Sequence, residues 1–325
     1  MPPEKFEESP NTPGLNPGVP LATPPTAPAG AASLRNFGLA ALVLCVAFNI
    51  PLWDLVRFAA HSQFYSYILL IPFISLYLVW QERHKWPPLS PGFGRLAAGF
   101  LAAGTLVLAA YWLLVRSRWK LVEDDYLAVM MPAFLLLFTG LGGLFLGGKF
   151  LRAHAFPLGL LLFMTPLPAV AMQAVETFMQ YSSATVAQVF FSLADTSFLA
   201  DGLLIQLPGI TLEIAPECSG IHSSMVLLIT SLLASHLFLR TPWKRAVLIL
   251  VVIPLGILRN GFRVFTIGEL CVHVGPQMIN SPIHHKGGPI FFALSLIPFF
   301  LLLVALQKSE RGRATAKTKP EERSN

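Results

Sequence analysis

The chain has 325 residues, 54% of them hydrophobic and only 12% charged, with a mean hydropathy of +0.63. An average soluble chain carries about a quarter charged residues, so this one lacks the charge to cover a water-facing surface, and its surplus apolar side chains face lipid. The net charge is +6, and three widely separated cysteines, Cys45, Cys218 and Cys271, exclude both a disulfide framework and a paired-cysteine zinc site.

Residues 1–35 hold nine of the 27 prolines and show no apolar period, which predicts a disordered N-terminal tail. It does not read as a signal peptide, because the first apolar run starts only near Phe37. A membrane domain is expected over 36–307. Residues 308–325, with six Lys/Arg against three acids, are expected to form a basic cytoplasmic tail.

A run of about 20 apolar residues crosses a bilayer as helix. Such runs fall at 37–53, 65–80, 97–115, 127–148, 155–171, 219–238, 245–270 and 289–306. The fold class is therefore all-α, a polytopic integral membrane protein with about eight transmembrane helices. The stretch 172–195 has helical spacing broken by Gln, Ser and Thr, and reads as an interfacial helix or a ninth element. Leu203 to Ile214 alternates enough to predict a short hairpin turning at Pro208-Gly209. The Gly-rich 140–148 stretch reads as close helix packing by small residues.

The positive-inside rule orients the spans. Arg83, Lys85 and Arg95, then Lys149 and Arg152, then Arg240, Lys244 and Arg245, and finally the C-terminal tail all fall on one side. That side is the cytoplasm, and both termini belong to it. Arg116, Arg118 and Lys120 argue weakly against this, offset by Glu123, Asp124 and Asp125. From Ala153 to Leu239 there is no Lys or Arg, which places 172–218 outside.

Polar groups inside a membrane are costly and mark function. Three clusters stand at the outer side: Pro216-Glu217-Cys218-Ser219-Gly220-Ile221-His222-Ser223-Ser224, Arg259-Asn260-Gly261-Phe262-Arg263, and His284-His285-Lys286-Gly287-Gly288. Arg259 lies 14 residues beyond Arg245, roughly 20 Å of helical rise. Arg259 and Arg263 share one helix face. A thiol, a guanidinium and an imidazole at one membrane face suit acyl transfer: a thiolate attacks a carbonyl, a histidine moves the proton, and an arginine steadies the thiolate or the oxyanion. Cys218 stands at a helix start, where the dipole favours an anion.

These motifs resemble the exosortase/archaeosortase family: Glu217-Cys218-Ser219-Gly220-Ile221, then Asn260-x-x-Arg263 in an apolar helix, then a histidine before the last span. Tyr65 through Arg83 is similar to the family's second span, and Phe156 through Pro168 to its fifth. The resemblance covers about 37–306. It implies a cysteine-type membrane endopeptidase or transpeptidase that cuts exported proteins bearing a Pro-Glu-Pro-type motif, a membrane helix and a basic tail. It also implies the inner membrane of a Gram-negative bacterium, a site facing the periplasm, and a link to exopolysaccharide export. Carried over, Cys218 is the nucleophile, Arg263 the stabilising arginine, and His284 or His285 the acid/base.

Arg259, Asn260, Glu217 and His222 are substrate-binding candidates, and His222, one turn after Cys218 at i+4, is also a rival base. Ser223 and Ser224 read as hydroxyls bonded back to the helix. Cys45 and Cys271 read as packing. No cofactor, metal or nucleic-acid partner is expected; the partners are the exported substrate proteins and the bilayer. The alternative function is a transporter or flippase for a polysaccharide or lipid intermediate. Its arginines would bind phosphate or carboxylate.

Overall fold

The computed structural model describes residues 29–62, 64–92, 94–116, 122–215, 220–280 and 287–318. Twelve α-helices are described: α1 Ala29–Ala47, α2 Asn49–His61, α3 Ile71–Gln81, α4 Arg95–Arg116, α5 Glu123–Phe145, α6 Gly148–Ala153, α7 Ala155–Leu160, α8 Ala169–Leu193, α9 Ile221–Phe238, α10 Pro242–Leu250, α11 Val252–His273 and α12 Gly288–Thr318. A small antiparallel sheet, β1 Leu199–Asp201, β2 Leu204–Leu207 and β3 Ile210–Glu213, lies between α8 and α9. The helical membrane fold is as expected from the apolar runs, with β1 as an addition to the expected hairpin.

Among the described residues, five spans are long and apolar enough to cross a membrane: α4, α5, α9, the α10–α11 unit Pro242–His273, and α12 as Gly288–Arg311. Two bent pairs raise the number to seven, and Ser66–Gln81 is a shorter apolar helix. The expected span at 37–53 is not one straight helix. It breaks at Phe48, and α2 leaves at 72° to α1. Pro51 supplies the reason: its ring has no N–H and clashes with the carbonyl four residues back, so α1 ends at Ala47. The fifth run behaves similarly. Helix α7 continues through a 3-10 turn, Leu161–Met164, and α8 then departs at 90° after Pro166 and Pro168. The stretch expected as an interfacial element is thus the 25-residue α8. Helix α1 begins at Ala29, upstream of residue 36, and α12 continues past 307 to Thr318.

Small residues decide how closely the helices pack. A Cβ on Gly104 would lie 2.8 Å from Leu137, and one on Gly140 would lie 2.7 Å from Leu101, so α4 and α5 meet backbone to side chain. Along α8 and α11, Gly261 faces Val186 and Gly268 faces Phe191. The α8–α11 pair and the sheet share a small core of Ala187, Phe191, Ile205, Leu212, Ile214 and Val264. The predicted hairpin is present: Leu207 pairs with Ile210, and Gly209 takes a left-handed φ of 84° at the turn.

The bundle has two unlike ends. At one, Phe156 stacks on His236, Trp86 packs on Phe150 and His154, and Glu310 accepts the backbone N–H groups of Arg240 and Thr241. The basic loops gather there. At the other end stand the first turns of α5, α9 and α12.

Candidate active site

The site is built where α9 begins. Gly220 adopts φ 71°, a left-handed conformation that suits glycine, and serves as the N-cap of α9. Its carbonyl accepts from Ser223 Oγ and Ser224 Oγ, each at 3.0 Å, and from the Ser224 amide at 3.0 Å. Arg259 Nη2 donates to the same carbonyl at 2.9 Å and to Ser224 Oγ at 3.2 Å. The serines bond back to the helix turn, as their type predicts.

Close approach makes this possible. A Cβ on Gly220 would sit 2.8 Å from Asn260 Oδ1, and one on Gly256 would sit 2.6 Å from Ser224 Oγ. Arg259 and Asn260 are buried, at 7% and 1% exposure. Both, expected to bind substrate, lie against Gly220, and Arg259 holds the start of α9. Its Nη1 is buried without a hydrogen-bond partner among the described residues.

In front of Gly220 opens a cavity of about 860 Å³. Arg263 lines it from α11, and His222 and Ser223 line it from α9. Phe64 and Tyr65 contribute from the loop before α3, Asp124 from the first turn of α5, Gln173 and Glu176 from α8, and Gly288 and Pro289 from α12. So Arg263 and His222, singled out in the sequence, share one cavity. Cys218, Glu217, His284 and His285 lie outside the described residues.

The expected i, i+4 partner of His222, position 218, lies outside the described residues. Gly220 is left-handed and α9 begins at Ile221, so His222 stands in its first turn. His222 turns to another element: its Nδ1 lies 2.8 Å from the carbonyl oxygen of Phe64. A carbonyl only accepts, so Nδ1 carries the proton.

The acidic wall was missed by sequence reasoning. In the sequence Asp124 reads only as loop charge, and Glu176 stands unmarked in the 172–195 stretch. A lone acid in an apolar helix, and three acids opening another, were the available signals. Asp125 has a separate task. Its Oδ1 accepts the Ala169 amide at 2.9 Å and caps α8 just after the bend.

Ile214 and Gly220, on either side of position 218 in the sequence, are both hydrogen-bonded. On one side Ile214 donates its N–H to the Leu203 carbonyl at 3.0 Å and its carbonyl accepts from Gln180 Nε2 at 2.9 Å. On the other, Gly220 is held by Arg259.

Comparison with curated proteins and with solved structures gave no match. A family model described as transmembrane exosortase matches residues 53–301, most of the chain and all of the site just described. The chain belongs to the transmembrane exosortase family, whose members are membrane-embedded sorting enzymes of the cysteine protease and transpeptidase type.

Proposed function

We propose that this protein recognises a C-terminal sorting signal on exported proteins and cuts it at the outer face of the bacterial inner membrane, through a thioester on Cys218. The signal is a Pro-Glu-Pro-type motif followed by a membrane helix and a basic tail, and the substrates serve exopolysaccharide export. One observation carries the reading. Gly220, two residues after Cys218, and Gly288, three after His285, line the same cavity as Arg263. Described members of all three polar clusters thus line one space, which supports the reading.

In the proposed reaction the Cys218 thiolate attacks the scissile carbonyl, and Arg263 stabilises the oxyanion. His284 or His285 protonates the leaving amine as the C–N bond breaks, leaving a thioester. Water or an amine then attacks the thioester, and the thiolate departs. The cavity stands at the end of the bundle opposite the basic loops, which supports a periplasmic site with both termini in the cytoplasm.

The test is a reporter carrying a Pro-Glu-Pro motif, a membrane helix and a basic C-terminus, co-expressed with wild type, Cys218→Ala or Cys218→Ser. Cleavage by wild type that vanishes in both variants supports the thiol mechanism. Cleavage that survives Cys218→Ala sinks the thiol mechanism, and no cleavage even by wild type favours the transporter reading, in which Cys218 is dispensable.

A further inference from the structure

We propose that His222 is a second catalytic base of this site, taking the proton from the water or amine that attacks the thioester. The proposal rests on the thioester reading above and adds a residue to it. Three features of the structure lead to it.

First, the imidazole is oriented from behind. Nδ1 donates to the Phe64 carbonyl at 2.8 Å, so the neutral ring bears its lone pair on Nε2. The carbonyl itself is held in a tight turn: Ser62 Oγ accepts the amides of both Phe64 and Tyr65 at 3.2 Å. The Phe64 ring also meets the imidazole edge to face, with centroids 6.1 Å apart. A base whose other nitrogen is fixed by an acceptor is the arrangement that general-base catalysis requires.

Second, the ring lines the cavity together with Arg263 and Gly220. Nε2 has no hydrogen bond among the described residues. Its open position belongs to what enters the cavity.

Third, Gly220 starts α9 with a left-handed φ of 71°, so His222 stands in the first turn of the helix, on the cavity wall. In the proposed step Nε2 removes one proton from the attacking O–H or N–H. The new C–O or C–N bond forms, the C–S bond breaks, and the imidazolium returns its proton to the departing thiolate.

The experiment is a single-turnover reaction of purified wild type, His222→Asn and His222→Gln with the sorting-signal reporter. Asparagine places an N–H where Nδ1 stands, so it keeps the donation to Phe64 but has no basic nitrogen at Nε2. The expected result is release of about one equivalent of the C-terminal fragment, followed by turnover slowed by about 10²-fold or more. A hydroxylamine-sensitive acyl-enzyme accumulates, and added imidazole restores turnover.

Wild-type turnover in both variants overturns the proposal. Equally, it is overturned if a variant with an unchanged detergent melting profile releases no fragment, because His222 would then act before the thioester. If wild type itself forms no thioester, the underlying reading fails, and that outcome is distinct because it appears without any substitution at His222.

Discussion

Arg259 on α11 donates to the carbonyl of Gly220, the residue that starts α9, at 2.9 Å. This bond ties the residue two positions after Cys218 to a buried cation. It makes Arg259 part of the frame that holds the start of α9.

Replacing Arg259 separates its two effects. No acid pairs with it among the described residues, so its burial carries a desolvation cost that its hydrogen bonds only partly offset. In Arg259→Met the unfolding free energy should change by about 1 kcal/mol or less. Reporter cleavage should fall by at least tenfold, because the start of α9 loses its tether (about 1.4 kcal/mol at the transition state). Thermal melts in detergent and the cleavage assay measure the two quantities. A large stability loss with normal cleavage would contradict this account.

Gly220 and Gly209 make a matched pair. Both have left-handed φ, 71° and 84°. A Cβ at Gly209 meets nothing within 4 Å, whereas one at Gly220 meets Asn260 Oδ1 at 2.8 Å. Gly209→Ala should cost only the backbone penalty, about 1–2 kcal/mol, with cleavage retained. Gly220→Ala should add an overpacking cost of about 1–3 kcal/mol and abolish cleavage. Comparing melting points and cleavage between the two variants decides it.

Asp125 should act as a helix cap and not as a ligand. Its Oδ1 accepts the Ala169 amide at 2.9 Å, at the start of α8. Asp125→Ala is expected to cost about 1 kcal/mol, and Asp125→Asn, an equally good acceptor, close to nothing. Chemical denaturation of the two variants in detergent tests the ranking.

The α8–α11 seam depends on missing side chains. A Cβ on Gly261 would lie 2.5 Å from Val186 Cγ1 and 3.1 Å from the Ser183 carbonyl oxygen. Gly261→Val should therefore destabilise by about 1–3 kcal/mol. Gly159→Ala, where nothing lies within 4 Å, should be neutral or stabilising through helix propensity. Limited proteolysis of α8 reports the loosening: faster cutting in Gly261→Val alone is the expected pattern.

The sequence by itself determined the class of molecule. Apolar runs of bilayer length require helices, since lipid offers no partner for an open backbone. The Lys/Arg bias set the basic loops apart from the polar clusters, and the order of those clusters carried the family resemblance. Arg263 was legible because a charge in an apolar helix is expensive. Even the Pro208-Gly209 turn was readable, because turn chemistry is local.

Only the tertiary structure decided what depends on residues distant in the chain. Asp124, Glu176, Tyr65 and Phe64 come to one cavity from three elements, and no local pattern encodes that meeting. The bends at Phe48 and after Met164 split apolar runs whose length alone reads as a straight span. His222 shows the difference most plainly. Spacing names only its neighbours along the chain, yet it follows a left-handed glycine, and a carbonyl 158 residues away at Phe64 fixes its ring. Backbone handedness and long-range hydrogen bonds are settled by packing, which spacing along the chain does not record.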